Sequence, residues 1–68
     1  MNLSNDDIES LKQLKNSNSN QYTINNCLII YYCKGSYSFP RYKIYVNGYF
    51  KYKTILLSEV IDYLQSKV

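Results

Sequence analysis

Arg41-Tyr42-Lys43-Ile44-Tyr45-Val46-Asn47-Gly48-Tyr49-Phe50-Lys51-Tyr52-Lys53 reads as two strands joined by a tight turn. Asn47 and Gly48 both tolerate the positive φ that short hairpin loops demand, and β-branched and aromatic residues dominate on either side. The register then decides which side chains share a face. A two-residue loop pairs Val46 with Tyr49 and sets Ile44 opposite Lys51, mixing apolar and charged side chains on both faces. A three-residue loop, Val46-Asn47-Gly48 with the glycine at a bulge, pairs Tyr45 with Tyr49 and Ile44 with Phe50. It puts Tyr42, Ile44, Phe50 and Tyr52 on one face and Arg41, Lys43, Tyr45, Tyr49, Lys51 and Lys53 on the other, with Lys43 facing Lys51. A slip of one residue would turn every side chain over, so burial selects this second register.

Upstream, the chain turns β-like from Tyr22, and Cys27-Leu28-Ile29-Ile30-Tyr31-Tyr32-Cys33 is apolar at both parities. Its outward set is either Cys27, Ile29, Tyr31 and Cys33 or Leu28, Ile30 and Tyr32, and the pattern leaves both open. Asn25-Asn26 is a bulge or a break, with Tyr22 to Ile24 as a lead-in. Lys34-Gly35-Ser36 makes a turn, and Phe39-Pro40 opens the next strand, where proline is tolerated.

Ser4 caps a first helix over residues 5–15, with Leu3 placed to staple on Ile8 and with Ile8, Leu11 and Leu14 as its apolar stripe. Asp7 stands where a capping box prefers Glu or Gln. Ser58 caps a second helix over residues 59–67, on which Leu57, Val60, Ile61, Leu64 and Val68 line one side. The expectation is an α+β fold of order α-β-β-β-α. It is one domain over residues 1–68, a three-stranded antiparallel meander with both helices on one sheet face.

The chain has 68 residues, 46% hydrophobic and 19% charged, with two glycines and one proline, a composition that folds but leaves little room for a buried active site. No apolar run approaches the ~18 residues of a membrane span, and the acidic start is unlike a secretory signal. The reading is a protein of the cytoplasm, without membrane contact. The net charge of +3 is concentrated: Lys34, Arg41, Lys43, Lys51 and Lys53 fall between residues 21 and 54, where there is no acid. That middle third is what an anionic partner would meet.

Catalysis finds little support. There is no histidine, and Asp6, Asp7, Glu9 and Glu59 fall in first helical turns, where capping and the helix dipole account for them. Cys27 and Cys33 are six residues apart, roughly 20 Å along one strand, beyond the ~7 Å that a disulfide allows. Two thiols without histidine also fall short of a zinc site, and no glycine-rich phosphate loop exists. The expectation is no enzyme, no metal and no cofactor. The candidate contact residues are Arg41, Lys43, Tyr45, Tyr49, Lys51 and Lys53, with Tyr31 from the preceding strand. Cations interleaved with rings suit a stacking anionic ligand or an acidic protein surface. Lysines on strands also guard against edge pairing.

Two resemblances follow. The element order and Tyr45-Val46-Asn47-Gly48 resemble the double-stranded RNA-binding domain and its second hairpin, implying nucleic-acid binding. That family carries a lysine cluster at the start of its second helix, where this chain has Ser58-Glu59-Val60. Small size, element order and a composition rich in Asn, Ile, Lys and Tyr, as in AT-rich genomes, resemble anti-CRISPR inhibitors of phages. This resemblance implies a non-catalytic inhibitor that docks on a nuclease complex in the host cytoplasm. Direct nucleic-acid binding is the alternative, and a homodimer could cover the first strand.

Overall fold

A twelve-residue strand from Tyr22 to Cys33 would run about 40 Å, longer than the 33 Å longest extent of the protein. The chain folds back instead. The structure, a computed structural model, describes residues 1–32 and 41–68. In it Gln21–Ile24 (β1) and Cys27–Tyr31 (β2) form an antiparallel hairpin, with Ile24 paired to Cys27 across Asn25-Asn26. Asn25 takes φ +53°, a conformation its short polar side chain tolerates. Tyr42–Val46 (β3) and Tyr49–Thr54 (β4) follow, giving a four-stranded antiparallel sheet in sequence order. The three-stranded expectation is thus corrected to α-β-β-β-β-α, because the two asparagines make a turn where a bulge or break was read. The turn expected at 34–36, the strand start at Phe39-Pro40, and Cys33 lie outside the described residues.

The second hairpin also departs from its expected register. Asn47 (φ +54°) and Gly48 (φ +85°) form a two-residue loop closed by Val46 and Tyr49. The parity conflict anticipated for such a loop is real, and a bulge inside β4 resolves it: Tyr45 pairs with Phe50, but Ile44 pairs with Tyr52, leaving Lys51 without an opposite residue. Lys43 consequently faces Lys53, not Lys51, and Phe50 moves from the expected core face to the opposite one. Ile44, fully buried, keeps its place under the helices.

Asn5–Lys12 (α1) is capped at Ser4, whose hydroxyl accepts from the Asp7 amide at 3.1 Å while the Asp7 carboxylate accepts from the Ser4 amide at 3.1 Å. Aspartate therefore completes the capping box despite its shorter reach. The helix stops earlier than the expected residue 15, and a 3-10 turn at Leu14–Asn16 keeps Leu14 in the core. Leu57–Lys67 (α2) begins with Leu56 at the N-cap, so the expected cap Ser58 lies within the first turn. No side chain caps the helix from the N-cap position, but Thr54, the buried polar residue at the end of β4, ties its start to the sheet: the hydroxyl accepts from the Leu56 amide at 3.2 Å and donates to the Glu59 carboxylate.

α1 packs on β1, and α2 on β3 and β4, all on one sheet face. Leu11, Ile29, Ile44, Val60 and Leu64 are wholly buried between them, and Tyr52 of β4 stacks on Tyr63 of α2 with ring centroids 4.7 Å apart and ring planes nearly parallel. With so few core residues, each is costly to truncate. Ile44→Ala should lower unfolding free energy by about 2–5 kcal/mol, measured by urea denaturation, while Phe50→Ala, on the uncovered side, should cost under about 1 kcal/mol.

A second prediction concerns acid. Asp7 also accepts from the Tyr22 hydroxyl at 2.9 Å, tying α1 to β1. The bond from the Ser4 amide, then those from Tyr22 and the Ser4 hydroxyl, hold its carboxyl below the usual range. A depressed folded-state value gives stabilisation that is present above the ordinary aspartate pKa of about 3.9 and is lost as pH falls through the folded value. Asp7→Asn should therefore be less stable than wild type near neutral pH. The gap should close below about pH 4 in thermal melts run as a pH series.

Candidate functional site

The pleat sends alternate residues of each strand away from the helices, where Leu28, Ile30, Lys43 and Tyr45 are half-buried and Phe50 and Lys53 are exposed. The cross-strand pairs arrange it in two rows. One runs Thr23, Leu28, Tyr45, Phe50 beside the two hairpin turns, and the other runs Gln21, Ile30, Lys43, Lys53 one step further along the strands. The open parity of β2 is therefore Leu28, Ile30 and Tyr32. The Lys43 ammonium lies 4.7 Å from the Tyr32 ring centroid, a cation–π contact that draws one lysine aside from the other. Tyr45 and Phe50 meet edge to face at 5.6 Å, with Phe50 49% exposed.

Of the candidate contact residues, Lys43, Tyr45 and Lys53 are brought together on this surface. Tyr31 is on the covered side, where its ring packs against Tyr42 at 5.2 Å, because the pleat gave the outward places to its neighbours. Arg41 donates to the Tyr31 hydroxyl at 3.3 Å, which sets its guanidinium beside that pair. Burial, then the neighbouring Tyr31, raises the Tyr42 hydroxyl above its ordinary pKa, so it stays protonated. Tyr49 closes the turn opposite Val46 and is 71% exposed, outside the two rows, and Lys51 occupies the bulge. Sequence reasoning missed Phe50, whose direction depends on a bulge that no Gly or Pro announces, and left Leu28 and Ile30 undecided.

Other features carry less chemistry. A groove of about 290 Å³ beside the Tyr52–Tyr63 stack holds Glu59, Asp62 and Lys67. Among the described residues no group of three or more His, Cys, Asp or Glu could hold a metal ion, and no helix is long and apolar enough to cross a membrane. No family model matches the chain, and no curated protein or solved structure does either.

Cys27 is 1% exposed under the core, and burial pushes its thiol above the ordinary range. The thiolate is the reactive form, so this sulfur is doubly protected. In a Cys33→Ser background, alkylation of Cys27 by iodoacetamide at pH 8 should be slow and should accelerate with urea in step with global unfolding, read by mass spectrometry. Fast modification of the folded protein would contradict this burial.

Proposed function

We propose that the chain is a non-catalytic docking protein whose open sheet face seats an acidic surface of a protein partner. The observation that carries this reading is the composition of that face. Aliphatic Leu28 and Ile30 lie on β2, bordered by Tyr45 and Phe50 and by Lys43 and Lys53, and none of these residues is acidic. An apolar centre with aromatic and cationic edges is the usual anatomy of a protein contact. The absence of histidine and the helix-start positions of Asp7 and Glu59 support a role without catalysis. The partner class follows from the resemblance to phage-borne inhibitors: a nucleic-acid-processing nuclease of CRISPR type in the host cytoplasm, blocked by contact.

One observation favours a second reading, direct binding of single-stranded nucleic acid: Tyr32, Tyr45 and Phe50 stand on the same face as two lysines, a pattern that stacks bases and neutralises phosphates. It ranks below because the Tyr45 and Phe50 rings engage each other, Tyr32 already holds a lysine, and the β2 part of the face is aliphatic.

The double variant Lys43→Glu/Lys53→Glu tests both. Purified CRISPR nucleases should be inhibited in DNA-cleavage assays by the wild type and at least about tenfold less by the variant, provided circular dichroism shows both folded. Equal inhibition by the two, or none across the panel, refutes the inhibitor reading. Oligonucleotide binding that weakens steeply with salt and vanishes in the variant would put the second reading in its place.

A further inference from the structure

The two rows of the open face differ in kind, and that difference specifies an occupant more narrowly than an acidic surface. Next to the turns lie Leu28, Tyr45 and Phe50; one step along the strands lie Ile30, Lys43 and Lys53. The apolar end and the cationic end are separated by two residues, roughly 6.7 Å. Size narrows the choice further. Four strands about 4.8 Å apart, each about four residues long, make a footprint of roughly 19 Å by 13 Å, close to that of one short helix with its side chains, about 10–12 Å across. A second copy of this chain docked face to face would set these lysines either against lysines or against the apolar row, with no acid on the face to pair them.

On this ground, and resting on the docking reading above, we infer that the face receives one short amphipathic helix of the partner, with apolar residues toward one end and acidic residues toward the other. About ten residues of helix span ~15 Å with a diameter of ~10 Å, which fits along the strands of this sheet. One helical turn rises ~5.4 Å, so an apolar residue over Leu28 and Tyr45 places an acid one turn on near Lys43 and Lys53. The sheet backbone is already paired between neighbouring strands, so the contact relies on side chains, and a helix would add a layer on the side where the described residues place none. The Tyr32 ring beside Lys43 marks the cationic end.

The test uses the full chain, isotope-labelled, and three designed probes of about 14 residues, long enough for a stable footprint: a helix with leucines at one end and glutamates at the other, the same helix with lysines for glutamates, and a scrambled glutamate peptide. Saturable binding is expected for the first alone, with shift changes centred on Leu28, Ile30, Tyr45 and Phe50. Affinity should fall about tenfold or more in Lys43→Glu/Lys53→Glu and recover when that variant meets the lysine helix. Equal binding of all three peptides to the face overturns the acidic helix while leaving a docking surface. Shifts confined to other residues, or none with any peptide, overturn the helix proposal. Titration of the same face by a thymidine oligonucleotide, with no response to peptide, removes the docking reading as well.

Discussion

Ile29 and Ile44 lie side by side on the inner strands β2 and β3, both fully buried, and their pairing sets the pleat for the whole sheet. With those two facing the helices, Leu28, Ile30, Lys43 and Tyr45 have no choice but the other side. The described residues supply two helices, enough to cover one face. Which side chains face away from the helices is therefore a direct consequence of where the core is.

The helices are held to that single layer by polar ties as well as by packing. Tyr22 of β1 reaches the first turn of α1 through Asp7, and Thr54 of β4 reaches the first turn of α2 through Leu56 and Glu59. In both cases a strand side chain bonds a helix start, where backbone amides need acceptors and where a carboxylate is favoured by the dipole. The two ties lie on the outer strands, at opposite edges of the sheet. Each joins a strand to a helix start, and Asp7 and Glu59 are the acids that make these two ties.

The amphipathic helices, the one-sided sheet and the placement of Tyr42, Ile44 and Tyr52 were legible in the sequence, because each rests on a periodicity that burial enforces. What was not legible shares a cause. Asn25-Asn26 suits a turn and a bulge alike, so its residues do not choose between them, and Lys51 carries no preference that marks a bulge. Apolar parity must be restored around Asn47-Gly48, but a bulge at the glycine and a bulge three residues later satisfy Ile44 equally and differ in where they send Tyr49, Phe50 and Lys51. β2 has apolar residues at both parities, and its pairing with β3 decides between them.

The position of Lys43 bears most directly on function. Lysines on an outer strand are explained by the need to discourage pairing with other chains, and Lys51 and Lys53 on β4 fit that account, the bulge at Lys51 adding to the effect. Lys43 does not fit it. It lies on β3, bonded on both sides to β2 and β4, where there is no edge to protect. Its opposite neighbour is another lysine, an arrangement that costs stability, and the Tyr32 ring offsets that cost by only about 0.5–1 kcal/mol at an exposed site. A neutral residue there would serve the fold better. A cation on an inner strand, flanked by Ile30 and Tyr45 and turned away from the core, is therefore the residue on which the proposed acidic partner most depends, since neither edge protection nor the fold asks for it.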